Sequence, residues 1–231
     1  MSVLKVKANG TYKQMPDQMI LNFSFNYLES SYEDSVKLSS IKGGDFIDFL
    51  LNNGIKKEEY HTLGFHIEES YKNVDTGKVD EFNRKVTKRE LEGYRFTQNI
   101  EVKIDFNLDL LRDLMLDISR MSSYPRLSLN FAIKDMENAK TLALKDAFEK
   151  CKGKAKILAN VSGKKINDCL EINYHVDSDY PVYECNSVMK ARNSLETMEN
   201  SMNNDFIDYN KIINPSEISV SDTIITIWEI N

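Results

Sequence analysis

The sequence predicts an α+β protein of mostly antiparallel sheets packed by three helices, in the order β-β-α-β-β-α-β-α-β-β. Strand-like segments alternate apolar and polar residues, which is the pattern of a sheet with one face buried and one wet. Three longer segments carry helical spacing and begin on capping residues. Their order lacks the regular strand–helix alternation of a doubly wound fold.

The first strand holds Leu4, Val6 and Ala8 and is expected to close at Asn9-Gly10, a strong turn signal. After Pro16-Asp17, Met19, Leu21, Phe23, Phe25 and Tyr27 alternate with Ile20, Asn22, Ser24 and Asn26. Ser30 or Ser31 can cap a helix with apolar positions Val36, Ile41, Phe46, Phe49 and Leu50, stopped by Asn53-Gly54. Gly43-Gly44 inside it costs roughly 1 kcal/mol per residue relative to alanine, so a kink or a close backbone contact is expected there.

Leu63, Phe65 and Ile67 mark a third strand, and Glu68 to Glu92 reads as an extended hairpin or a flexible excursion. Tyr94, Phe96, Ile100, Val102 and Ile104 form a fourth strand. Asn107 caps a helix with the stripe Leu108, Leu111, Leu114, Met115 and Ile118. Pro125 precedes a fifth strand at Leu127, Leu129, Phe131 and Ile133.

Asp135 opens the longest helix, which ends near Ser162-Gly163. Along it Ala139, Ala143, Ala147, Cys151, Ala155 and Ala159 recur every fourth residue, small enough for close approach to a neighbour. Each step of four advances about 400°, so the row winds by roughly 40° per step. It should therefore leave one face and meet different neighbours at its two ends. Leu170, Ile172 and Tyr174 give a sixth strand; residues from about 177 to 217 lose periodicity and read as a long loop. The last strand, Ile218 to Ile230, is apolar on both faces, as a central or doubly covered strand is.

The chain has 231 residues and a mass of 26.7 kDa, enough to bury a core without disulfides or metal. A net charge of −6 argues against a general binder of nucleic acid or anionic membranes. The basic group Arg84, Lys85, Lys88 and Arg89 sits among Glu81, Glu90 and Glu92, and reads as a solvated mixed-charge hairpin. The N-terminal residues lack the apolar core of a signal peptide. No run reaches the roughly 20 apolar residues that span a bilayer. Three unpaired cysteines, Cys151, Cys169 and Cys185, fit a reducing compartment, so a cytoplasmic location without membrane insertion is expected.

No residue set earns a catalytic, cofactor-binding or metal-binding role. His61 and His66 are five apart, which in a regular strand puts them on opposite faces. His66 and Glu68 share a face, but two ligands do not make a site. Cys169 and His175 share strand parity and read as a core cysteine beside an edge histidine. Asp109, Asp113 and Asp117, with Arg112 and Arg120 among them, read as a solvated helix face. Gly43-Gly44 lacks the spacing of a phosphate loop. Phe23, Phe25 and Tyr27 could stack bases, but without basic neighbours they read as core.

Several segments together resemble the SIMPL-domain family: LKVKANGTYKQMPDQMIL at the start, FLLNNGIKKEEYHTLGFHIEESY after the first helix, LEGYRFTQNIEVKI, the alanine-rich helix AKTLALKDAFEKCKGKAKILANVSGKKINDCLEINY, and the closing EISVSDTIITIWEI. The resemblance implies an α+β fold over 1–231 as one SIMPL-like unit, with 72–90 and 177–216 as variable excursions. Within it, a subdomain 94–175 (β-α-β-α-β) is expected to pack against 1–70 plus 217–231. The resemblance further implies self-association, since some bacterial relatives form ring-like oligomers, and no shared catalytic residues. Many relatives carry a secretion signal, which this sequence does not show.

The functional expectation is thus a non-enzymatic self-assembling or interaction protein, a homo-oligomer with an unidentified protein partner and no nucleic acid. Two other readings stand beside it. One is a regulatory module acting through the 177–216 loop; the other is an unrecognised enzyme or small-ligand binder, favoured by a pocket of convergent polar groups.

Overall fold

The computed structural model describes residues 2–79, 81–121, 125–174 and 212–231. Its elements run β1 (Ser2–Gln14), β2 (Gln18–Glu29), α1 (Tyr32–Asn52), a 3-10 turn (Lys57–Glu59), β3 (Tyr60–Val79), β4 (Lys85–Asp105), α2 (Leu108–Ser119), β5 (Arg126–Ala132), α3 (Met136–Val161), β6 (Ile166–Tyr174) and β7 (Ile218–Ile230). Three α-helices and seven strands in two antiparallel sheets, among the described residues, match the expected class and order.

The chain divides into two units. One contains β1, α3, β6 and β7; the other contains β2, α1, β3, β4, α2 and β5. This differs from the expected grouping of 94–175 against 1–70 plus 217–231. Strand pairing decides it: β4 hydrogen-bonds with β3 and β2, and β6 with β7.

The first unit is a three-stranded sheet in the order β1-β7-β6. Strands β1 and β7 pair without interruption from Ser2↔Ile230 to Gln14↔Ile218 and β6 pairs with the other edge of β7, so β7 is central, one of the two placements its apolar faces suggested. The expected turn at Asn9-Gly10 does not form; β1 runs straight through it. Gly10 is needed for space instead. A Cβ there would stand 2.0 Å from the Ala143 carbonyl oxygen and 2.3 Å from the Ala147 nitrogen, so α3 lies directly on the strand backbone.

The small-residue row makes this possible. All six of its members are buried. Ala139 and Ala143 pack with Ile133 and Val220, while Ala147, Cys151 and Ala155 pack with Val6, Ala8, Ile224 and Trp228. The two ends do meet different residues: Val220, Val6, Ala8, Ile224 and Trp228 belong to the β1-β7-β6 sheet, while Ile133 follows β5. Strands twist right-handedly, so a twisted sheet can follow a winding row. Asp135 caps the helix by accepting from the Asn138 N–H at 2.9 Å.

The second unit is a four-stranded sheet in the order β3-β4-β2-β5. Its inner face buries Met19, Leu21, Phe23 and Phe25 from β2 and Phe96, Ile100, Val102 and Ile104 from β4. Phe46 of α1 meets Phe23 and Phe25 edge-on at 4.8 and 4.9 Å. The Ser31 hydroxyl oxygen caps α1 by accepting from the Asp34 N–H at 3.1 Å, and Gly54 ends that helix region at φ +82°.

The stripe of α1 that faces inward is Ser35, Ser39, Phe46 and Leu50, whereas Val36 and Ile41 are exposed. The helix continues unbroken through Gly43-Gly44. A Cβ on Gly43 would stand 3.0 Å from the Oε1 of buried Gln98, so the close contact is with a side chain and not a backbone. In α2, Asn107 accepts from the N–H groups of Asp109 and Leu110, and Leu111, Leu114 and Ile118 are buried.

Candidate functional site

Strands β3 and β4 extend well beyond their sheet. The carbonyl oxygen of Glu29, at the end of β2, would lie only 2.3 Å from a Cβ at Gly93, so β2 stops beside that residue. Past the pair Ser70↔Gly93, β3 and β4 pair only with each other among the described residues. The Tyr71–Val79 strand alone reaches about 30 Å at ~3.3 Å per residue. A two-stranded ribbon is marginal by itself in water, and this one is held by cross-strand side chains. Arg89 lies over the Tyr71 ring at 4.3 Å and Lys85 pairs with Asp75 at 3.1 Å.

Arg84 lies over Phe82 at 5.1 Å, and Lys88 pairs with Glu90 at 3.6 Å. The basic group is thus balanced within a mixed-charge arm, as expected. The hydrogen bond from Tyr71 to Glu69, reinforced by that carboxylate's charge, holds the Tyr71 phenol above its ordinary pKa. A hydrogen bond from the Gly77 N–H, with one from Lys85, holds the Asp75 carboxyl below its own. Tyr71, Phe82, Val86 and Leu91 are all exposed on the arm.

The first unit carries a second surface feature. Helix α3 covers β1 and β7 but hardly reaches β6. Beside it lies an open groove of about 550 Å³ lined by Leu144, Phe148, Ile172, Tyr174 and Ile224, with Lys145 and Glu149 at its rim. Ile172 is 55% exposed and Leu170 48%, so this margin is apolar and uncovered among the described residues. Strand β6 is also a sheet edge, and an edge presents unpaired backbone donors and acceptors to any incoming strand.

The outer face of the four-stranded sheet corrects one expectation. A register shift between Thr62 and Gly64 cancels the parity that separated His61 from His66. His61 now opposes Glu101 and His66 opposes Thr97, two residues of equal parity on β4. Both histidines therefore share the outer face with Glu68, which opposes Arg95. One bulged residue flips every side chain after it, and no spacing argument could have shown it. Even so, no group of three or more His, Cys, Asp or Glu among the described residues is arranged to hold a metal ion.

The remaining sequence candidates fall where solvated groups fall. Arg112 bridges Asp109 and Asp113 at 3.0 Å each, and Arg120 pairs with Asp117 at 3.0 Å. Cys169 is half-buried against the Trp228 cluster; its proposed neighbour His175 and most of the 177–216 loop lie outside the described residues. Phe23 and Phe25 are core.

Geometry thus defines a class: a two-unit α+β scaffold whose prominent surface features, among the described residues, are a two-stranded ribbon, a strand edge and an apolar groove. The family model described as SIMPL, a protein of unknown function (DUF541), matches residues 4–228, and the chain belongs to that family. No curated protein matches it. No helix among the described residues is long and apolar enough to cross a membrane.

Proposed function

We propose that the protein is a non-enzymatic assembly protein in which the β3–β4 arm of one copy docks along β6 and its groove on the next. The observation that carries this reading is the apolar groove set against a strand edge that no described strand pairs. An incoming strand would satisfy the edge's backbone groups while its side chains cover Ile172, Tyr174 and Phe148. The arm is the element of matching form, extended and bearing exposed Tyr71, Val86 and Leu91. Such a contact is head-to-tail, and head-to-tail contacts close into rings when the rotation allows. The family resemblance points the same way.

The direct test shortens the arm. Tyr71 opposes Leu91, so replacing residues 72–90 by Asn-Gly joins the two strands through a two-residue turn. Light scattering at micromolar concentration should give a multiple of 26.7 kDa for the full chain and the monomer for the shortened one. A full chain that stays monomeric sinks the proposal, and so does a shortened chain that still assembles.

A further inference from the structure

The outer face of the four-stranded sheet holds a basin of about 410 Å³, within the roughly 300–1,000 Å³ range of small-molecule sites. All four strands line it, with polar side chains from Asn22, Ser24, His66, Asn99, Arg126 and Ser128. Its floor is Gly64, just past the register shift in β3. The glycine is not demanded by a left-handed backbone; what it supplies is room. A Cβ there would stand 3.5 Å from His66 Nε2 and 3.8 Å from Asn99 Nδ2, so these two polar groups meet over the bare strand. A glycine inside a strand often marks such a close approach.

Some polar groups beyond the basin on this face pair with one another, although His61, Glu68 and Thr97 make no such bond with a described residue. Arg95 donates to Asn26 Oδ1 at 2.7 Å and to Ser70 Oγ at 3.1 Å, and Lys103 pairs with Glu101 at 2.8 Å. None of the six basin side chains makes a side-chain hydrogen bond or ion pair with a described residue. They form a convergent set of donors and acceptors left free for something else.

Their chemistry limits what that is. The lining has a guanidinium and no carboxylate, which suits an anion, and a guanidinium matches a carboxylate with two parallel hydrogen bonds. The amides and hydroxyls of the asparagines and serines each donate and accept, as hydroxyl groups on a ligand require. The aromatic residue in the lining, Phe23, is 1% exposed and faces the core, so no stacking platform for a flat ring is offered. We propose that this basin binds a small hydroxycarboxylic acid. The assignment is independent of the assembly reading, since the arm and the β6 groove contribute nothing to the basin.

The test is equilibrium dialysis of the full chain against radiolabelled L-malate, citrate and D-gluconate at matched ionic strength, with inorganic phosphate as the competing anion. Two variants accompany it. Gly64→Val fills the floor with a residue that strands favour, and Arg126→Gln removes the charge at an exposed position. Saturable binding of at least one acid is expected, weakened tenfold or more by either substitution and little affected by equimolar phosphate. No saturable binding with any of the three overturns the proposal. Undiminished binding in Gly64→Val, or phosphate competing as an equal, overturns it too. If circular dichroism shows that Gly64→Val does not fold, Arg126→Gln decides alone.

Discussion

Replacing Gly10 by alanine tests the contact on which the first unit depends. The new Cβ would stand 2.0 Å from the Ala143 oxygen and 2.3 Å from the Ala147 nitrogen, both backbone atoms of α3. Neither can rotate away, so helix and strand must separate by about 1 Å, and a gap of that size forfeits a quarter to a half of each dispersion well it opens. Overpacking costs about 1–3 kcal/mol where side chains can adjust; with two backbone obstacles the upper end, about 3 kcal/mol, is expected. At roughly 2–4 °C per kcal/mol for a chain of this length, the melting temperature should fall by about 6–12 °C. Trp228 is the chain's single tryptophan and is buried beneath α3, so its fluorescence during urea or thermal unfolding reports on this unit. Asn9→Ala, at an exposed position of the same strand, serves as control and should change little. A Gly10→Ala loss below about 1 kcal/mol would refute the direct helix-on-strand contact.

Other outcomes follow from single interactions. Asp146 accepts from Lys150 at 2.6 Å and from the Thr11 N–H at 2.7 Å, which together hold its carboxyl below the ordinary range, Lys150 contributing most. A depressed folded pKa stabilises above the unfolded value and loses that contribution as pH falls through the folded one; Asp146→Asn should therefore be less stable at neutral pH and show a shallower acid limb below the ordinary carboxylate range of about pH 4, followed by Trp228 fluorescence. Ser31→Ala removes the α1 cap and should cost about 1 kcal/mol in chemical denaturation, with Ser31→Asp close to the original. Cys169, half-buried, should react with a thiol reagent in the folded protein, while Cys151, fully buried beside the Val6 and Ile224 carbonyls, should be labelled only on unfolding, as peptide mass analysis would show.

Much of the scaffold was legible because local rules were obeyed. Period-two alternation in Met19 to Tyr27, the caps Ser31, Asn107 and Asp135, and the stop at Asn53-Gly54 each have a local cause, and each formed as expected. Misreadings arose where a distant contact overrode a local signal. Asn9-Gly10 looks like a turn, but α3, more than 130 residues later, needs Gly10 bare. Val36 and Ile41 looked like a buried stripe, yet the sheet takes Ser35 and Ser39, whose small size permits approach. In β6, Leu170 and Ile172 alternate as strand residues should, yet both are exposed because α3 hardly reaches that strand. The candidate surfaces were hidden for a related reason. Neither the bulge at Leu63 nor the gathering of Asn22, Asn99 and Arg126 from three strands follows from spacing along one of them.

The assembly claim meets its most direct test in a mixing experiment. One chain lacks the arm (72–90 replaced by Asn-Gly) but keeps the groove; the other carries Ile172→Lys in the groove but keeps the arm. Ile172 is exposed on an edge strand, where lysine is tolerated and discourages pairing. Each alone should scatter light as a 26.7 kDa monomer. Together they should form a one-to-one dimer that grows no further, because one arm and one groove remain between them. Two monomers that ignore each other on mixing, or a groove variant that still assembles alone, would contradict the arm-in-groove contact.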